Sequence, residues 1–165
     1  MSTIPPARVL AVEIRAARMG YAIFENHKRL LDFGAAWFDS PGTARLRIAR
    51  LLRLSHPSLL VVRSGSSPRS QKALRKSVAR TVYSEARKLS IPVARVSNIA
   101  LKRYFETFSC RDKYAVATLL ATRFPEIAWR IPERRKFFDP EPRVMIYFDA
   151  MALGVVYMDI GCEEQ

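Results

Sequence analysis

Three hydrophobic segments near the start of the chain decide the fold: RVLAVEI (Arg8–Ile14), MGYAIFE (Met19–Glu25) and RLLDFGAAWF (Arg29–Phe38). Each is rich in aliphatic and aromatic residues, a composition that favours β-strands. The residues Glu25-Asn26-His27 separate the second segment from the third and are typical of a tight turn. The region therefore predicts a meander of three strands, the first of which carries a glutamate, Glu13, close to its end.

After the meander, the pattern changes to helices that alternate with strands. Ser40-Pro41 supplies an N-cap and a first-turn proline for a helix. The fully apolar segment SLLVVR (58–63) is typical of a buried parallel strand, and IPVARV (91–96) predicts another. Between them, Ser67-Pro68 opens a long helix that ends near Leu89. The apolar stripes of the two helices are Leu46, Ile48, Ala49 and Leu52 in the first, and Leu74, Val78, Val82 and Ala86 in the second.

The C-terminal third predicts further helices. One begins at Ser97 and ends near Phe105, and Ser109 to Asp112 has the spacing of a capping box for another that runs through Phe124. Residues 125–138 are basic and aromatic and predict a loop. Asp139-Pro140 predicts the start of the last helix. The sequence thus predicts one α/β domain over residues 1–165, with a mixed five-stranded sheet, antiparallel in the meander and parallel beyond it, flanked by helices.

Charge is the most informative part of the composition. The 165 residues are 49% hydrophobic, so the chain is long and apolar enough to fold, yet its formal net charge is +13 and its pI is about 10.4. An excess of this size attracts polyanions, and nucleic acid is the expected partner. The two cysteines have neither zinc nor disulfide spacing, and no signal sequence or membrane span is predicted. A cytoplasmic protein is the expectation.

The stretch MIYFDAMALGVVYM (145–158) places a single carboxylate, Asp149, among apolar and small residues. A charge in such surroundings requires a partner. Together with three other stretches it resembles the RuvC-type Holliday-junction resolvases, a family with the ribonuclease-H-like fold. The other three are VLAVEIRAARMGYAIF, with the glycine-aromatic pair Gly20-Tyr21; SLLVVR with the basic helix and IPVARVSNIALKRYF after it; and DKYAVATLLATRFP. The order and spacing of the stretches carry the resemblance, because each motif alone is weak.

The resemblance implies a nuclease that cleaves phosphodiesters with two divalent metals about 4 Å apart, held by four acidic side chains. Carried over position by position, these four fall on Glu13, Arg63, Ile146 and Asp149. Two acids remain, and Ile14-Arg15-Ala16 replaces the small, glycine-containing turn after the first. Since a guanidinium repels metal ions and binds carboxylates, we expect Arg63 to pair with Asp149, with Glu13 beside it. Alternatively, Glu13 and Asp149 hold one Mg²⁺ or Mn²⁺ ion and support weak cleavage.

Other basic residues are candidates for binding nucleic acid. The resemblance places Lys113 near the scissile phosphate, as a catalytic or DNA-binding residue. A stripe at helical spacing is predicted to follow phosphates: Arg69, Lys72, Lys76 and Arg80. Either role competes with that of a solvated surface charge.

From these features we expect a homodimer that binds branched or structured nucleic acid, preferably DNA, and that has lost most metal-dependent cleavage. No cofactor is expected, or Mg²⁺ or Mn²⁺ if the protein is active. One alternative is an active endonuclease of the Holliday-junction resolvase type. Another is a scaffold or regulatory subunit of a larger complex.

Overall fold

The computed structural model describes residues 7–15, 17–64, 72–134, 136 and 138–161, and side chains within 72–88 from residue 75 onward. Five strands and five α-helices follow one another in the predicted order. The strands are β1 (Arg8–Ile14), β2 (Arg18–Glu25), β3 (Arg29–Trp37), β4 (Leu59–Arg63) and β5 (Val93–Val96). The helices are α1 (Pro41–Ser55), α2 (Lys72–Lys88), α3 (Asn98–Glu106), α4 (Lys113–Arg123) and α5 (Met145–Ile160), and a 3-10 helix covers Pro125–Arg130.

The five strands form one sheet in the order β3-β2-β1-β4-β5. β1 pairs antiparallel with β2, and β2 with β3, while β4 runs parallel to both β1 and β5. Asn26 and His27, in the turn between β2 and β3, have the left-handed conformation that asparagine tolerates well. The predicted mixed sheet, with its antiparallel meander and parallel section, is confirmed.

The helices cover both faces of the sheet. One face packs against α1 and α2 through a cluster that includes Ile48, Leu52, Val78 and Val82. The other face packs against α3, α4 and α5 through a second cluster. Helix α5 is buried along almost its whole length, which explains its nearly continuous apolar sequence. Among the described residues, no helix is both long enough and apolar enough to span a membrane.

Close contact between β2 and α5 depends on Gly20. A Cβ atom at this position would lie 2.8 Å from Cγ1 of Ile146 and 2.9 Å from its carbonyl carbon. Because the obstacle includes helix backbone, no side-chain rotation can relieve it. Gly20, the first residue of the glycine-aromatic pair identified in the sequence, therefore allows the first turn of α5 to lie against the sheet.

Several local predictions are wrong, each for a physical reason. Leu46 is 63% exposed, because it lies two residues from the buried Ile48 and so on the opposite side of α1. The N-cap of α4 is Asp112, whose side chain accepts a hydrogen bond from the Ala115 amide. Ser109, the predicted cap, is instead left-handed (φ 60°) and lies in the turn that ends α3.

The last helix also starts later than predicted. Asp139 accepts a hydrogen bond from the Lys136 amide, and α5 begins at Met145 without a side-chain cap. The sequence Asp139-Pro140-Glu141-Pro142 explains the delay, since a residue that precedes proline is disfavoured in helical conformation. The predicted start of α2 at Ser67-Pro68 lies outside the described residues.

Candidate functional site

The candidate site lies at the edge of the sheet where β1 and β4 end. These neighbouring strands are parallel, so their C-terminal ends lie at the same edge, with Val12 opposite Val62 in the register. Glu13 therefore lies next to Arg63. Helix α5 packs against β1 and β2 and brings Asp149 to the same edge, near Glu13.

Glu13 and Arg63 form a direct ion pair. Nε of Arg63 donates to both carboxylate oxygens of Glu13, at 2.9 and 3.1 Å, and its Nη1 donates to Oδ1 of Asn98 at 2.5 Å. Burial raises the pKa of Glu13 above its ordinary value, although the charge of Arg63 opposes this rise. The neighbouring Asp149 carboxylate raises the pKa further.

Asp149 has two basic partners. The guanidinium of Arg15 donates to Oδ2 of Asp149, and Nζ of Lys113 lies 3.3 Å from the same atom. Both cations also bind Glu141: Arg15 Nη2 at 3.1 Å and Lys113 Nζ at 2.8 Å from Oε1. Burial acts to raise the pKa of Glu141, but the hydrogen bonds from Lys113 and Arg15 outweigh it and hold the pKa below the ordinary value.

Three acids and three bases thus form a compact group, which we call the charge cluster: Glu13, Arg15, Arg63, Lys113, Glu141 and Asp149. The prediction that Arg63 pairs with Asp149 is wrong. Arg63 binds Glu13 instead, because the two lie on adjacent parallel strands, and Arg15 takes the place beside Asp149. The charges within the cluster balance.

Sequence reasoning missed Arg15 and Glu141 as members of the cluster. The signal for Arg15 was present, since a long basic residue stands in the turn where the related family has small residues. Glu141 carried no such signal: it is 126 residues from Arg15 in sequence, and only the fold brings them together. Ile146, which the resemblance places at the third of the four acid positions, is fully buried beside Gly20.

An open groove of about 770 Å³ borders the charge cluster between α3, α4 and α5. Its apolar wall includes Leu101, Phe105 and Phe148, and its rim includes Arg63, Lys113 and Asp149. A ligand that enters the groove would therefore contact three members of the cluster.

The charge cluster does not fit the two-metal site that the fold family implies. Mg²⁺ requires oxygen ligands at about 2.1 Å, and a cation already bound to the same carboxylate repels it. Here each acid of the cluster already binds a guanidinium or an ammonium group. Across the described part of the chain, no group of three or more His, Cys, Asp or Glu side chains is arranged to hold a metal ion.

Most of the excess charge lies on α1 and α2 rather than at the cluster. Helix α1 carries four arginines and no acid, and α2 carries six lysines or arginines and one acid, the buried Glu85. Six of the exposed members we call the basic face: Arg45, Arg47, Arg50, Arg53, Lys76 and Arg80. Lys76 and Arg80 of the predicted stripe belong to it, whereas only the backbone of Lys72 is described and Arg69 lies outside the described residues.

The sheet order, the mixed pairing and the two helical layers define a ribonuclease-H-like fold of the RuvC type. No family model and no curated protein matches the sequence. Among solved structures, the chain is similar to Thermus thermophilus RuvC in complex with a Holliday-junction substrate, with 16% identity, 92% of both chains covered and a TM-score of 0.68.

Two further structures have the same fold. A second Thermus thermophilus RuvC structure gives 14% identity and a TM-score of 0.69, covering 94% of this chain and 97% of that one. The yeast mitochondrial Holliday-junction resolvase Ydc2 gives 12% identity and a TM-score of 0.65, covering 95% of this chain and 80% of that one. The resemblance drawn from the sequence is confirmed at the level of the fold.

Proposed function

We propose that this protein binds branched or structured nucleic acid, preferably DNA, and has lost most or all of the metal-dependent cleavage associated with its fold. The observation that carries the proposal is the charge cluster, in which Arg15, Arg63 and Lys113 bind the carboxylates that would otherwise bind metal. A permanent positive charge built into the protein replaces exchangeable ions. The fold is kept while the chemistry of its site changes.

The pairing of the acids supports the loss of cleavage. A divalent ion at Asp149 would have to displace both Arg15 and Lys113, and one at Glu13 would have to displace Arg63. A metal ion that displaced one of these cations would still have a guanidinium or an ammonium group close by, and the two positive charges would repel each other. Glu13 and Asp149 therefore act as structural acids, and Arg63 takes the role of the missing ion.

Net charge and its distribution support nucleic-acid binding. The basic face presents six exposed cations without an exposed acid on either helix, a surface suited to the phosphates of a duplex backbone. Lys113 is half exposed at the rim of the groove, where it can reach a phosphate that approaches the cluster. Binding of this kind depends on counterion release and must weaken steeply with salt.

The binding test measures dissociation constants for a four-way junction, a duplex and a single strand at several salt concentrations. For duplex, the logarithm of the association constant falls linearly with the logarithm of the salt concentration. Replacing Arg50 and Arg53 by glutamine should make this slope shallower by about 1.5 to 2, or about 0.9 for each phosphate contact. A matched control replaces the exposed Lys28, in the turn between β2 and β3, and the exposed Arg29, the first residue of β3, and should leave the slope unchanged. Affinity that does not depend on salt would contradict the proposal.

The cleavage test incubates the same substrates with Mg²⁺ or Mn²⁺. We expect no strand scission above that of an Asp149→Asn variant. Scission by the wild-type protein that Asp149→Asn abolishes would identify an active endonuclease instead. Failure to bind any nucleic acid at low salt would favour a scaffold subunit whose basic face meets an acidic protein.

The proposal includes a homodimer, as the resemblance to RuvC-type resolvases suggests. It also includes a single domain over residues 1–165 and a cytoplasmic location, which rest on the composition and cysteine spacing of the sequence. Light scattering after size exclusion gives the mass directly. A value of twice 18.8 kDa supports the dimer, and 18.8 kDa contradicts it.

A further inference from the structure

An exposed tryptophan flanked by two arginines lies at the same edge of the sheet as the charge cluster. Trp37 is the last residue of β3 and is 53% exposed. The guanidinium carbons of Arg18 and Arg143 each lie 5.5 Å from the centroid of its indole ring, within the range of a cation–π interaction. We call these three residues the Trp37 site.

Neither arginine of the Trp37 site is neutralised by a carboxylate contact. Arg18 donates from Nη1 to the carbonyl oxygen of Arg143 at 3.1 Å, and the chain as described shows no ion pair for either residue. The site therefore combines a half-exposed indole ring with two positive charges. An indole left half exposed adds little to the core, and the adjacent charges favour an anionic ligand over an apolar one.

The Trp37 site is joined to the charge cluster through two short segments. Arg18 is opposite Trp37 in the register of β2 and β3, and its carbonyl accepts a hydrogen bond from the Arg15 amide at 2.8 Å. On the other side, Arg143 follows Glu141 by two residues. A nucleic-acid strand bound along this edge of the sheet would thus contact first the charge cluster and then the Trp37 site.

We propose that the Trp37 site binds an unpaired nucleotide, with its base stacked on the indole of Trp37 and its flanking phosphates bound by Arg18 and Arg143. This inference rests on the proposed nucleic-acid binding and specifies which part of a branched substrate this edge holds. Inside a duplex, both faces of a base are covered by its neighbours. Near a branch point or in a single strand they are open, so the site selects unpaired bases.

Fluorescence can follow the site directly, because the chain has two tryptophans. A Trp129→Phe variant leaves Trp37 as the sole tryptophan, and Trp129 is itself an exposed side chain, 69% accessible, so the fold should persist. We expect an oligothymidylate to quench the fluorescence of this variant. An abasic oligomer of equal length, which keeps the phosphates and lacks the bases, should cause little quenching.

Variants separate stacking from charge. Trp37→Ala should weaken single-strand binding about tenfold or more and leave the salt slope unchanged, since stacking of one base is insensitive to salt. Replacing Arg18 and Arg143 by glutamine should make the salt dependence of single-strand binding shallower. The slope of the logarithm of the association constant against the logarithm of salt should decrease in magnitude by about 1.4, or about 0.7 for each phosphate contact. Trp37→Phe should retain part of the affinity, and Trp129→Phe all of it.

Two outcomes would overturn the inference while leaving the proposed function intact. One is equal binding of the single strand by Trp37→Ala and the parent protein. The other is equal quenching by the oligothymidylate and the abasic oligomer. If no nucleic acid of any form binds at low salt, the proposed function fails as well, and the two failures are thereby distinguished.

Discussion

Replacing Arg63 by methionine tests the physical basis of the charge cluster. The side chain of Glu13 is 6% exposed and that of Arg63 is 19% exposed, so the pair is largely removed from water. Methionine keeps much of the apolar volume but leaves Glu13 without its cation. Breaking a buried pair costs about 3–5 kcal/mol, and the partial exposure of Arg63 places this case near about 3 kcal/mol at neutral pH. For a chain of this length the melting temperature should fall by about 6 to 12 °C.

The loss should also depend on pH. Burial raises the pKa of Glu13 in the wild-type protein, and removing Arg63 removes the largest opposing influence, so the pKa rises further. A carboxyl group whose pKa is higher in the folded state binds its proton more tightly there. Its contribution to stability is present at low pH and is lost as the pH rises from the unfolded pKa through the folded one. The destabilisation by Arg63→Met should therefore be largest at neutral pH and shrink as the pH is lowered.

Urea unfolding of four proteins measures both effects: wild type, Arg63→Met, Glu13→Gln and the double variant. The double variant should recover much of the stability lost by Arg63→Met, because it leaves no uncompensated buried charge. A loss below about 1 kcal/mol, or one independent of pH, would show that the pair is not buried as described. So would a double variant whose loss equals the sum of the two single losses.

Three further predictions concern other parts of the fold. The hydrogen bonds from Arg123 hold the pKa of the Asp159 carboxyl below its ordinary value. The stability that this pair adds is therefore present above the unfolded-state pKa and is lost as the pH falls through the folded-state pKa. Asp159→Asn should therefore cost at most about 1 kcal/mol at neutral pH, and nothing once the wild-type carboxyl is protonated; a cost that persists in acid would contradict this. Gly20→Ala should destabilise the protein by about 1–3 kcal/mol in urea, and adding Ile146→Ala should not restore it, since helix backbone is part of the obstacle. Asp112→Ala should cost about 1 kcal/mol in thermal unfolding through loss of the α4 cap, whereas a comparable cost for Ser109→Ala would favour the capping box.

Hydrophobic patterning was sufficient to predict the strands and most helices. The meander, the two parallel strands and the apolar stripe Val78-Val82-Ala86 were predicted from residues close together in sequence, and burial in the structure follows the same periodicity. The errors arose at helix ends and at one exposed leucine. There, a left-handed residue, two prolines or the rotation of a helix decided the outcome, and these effects depend on local backbone geometry.

The contacts of the candidate site were predicted less completely than the strands and helices. The resemblance to RuvC-type resolvases predicted that two acidic positions are replaced and that Arg63 binds a remaining acid. It could not indicate which acid, because Glu13 and Asp149 are both near Arg63 and the choice depends on side-chain direction. Arg15 and Lys113 reach Asp149 across 134 and 36 residues of sequence. Contacts over such separations follow from the packing of α4 and α5 on the sheet.

The sequence by itself determined the order of strands and helices and the excess positive charge, because periodicity and residue type are local properties. Only the tertiary structure decided how the charges pair, where the positive charge gathers, and that Trp37 lies beside Arg18 and Arg143. Electrostatic pairing depends on distance in space and on exclusion of water, and the packed fold sets both.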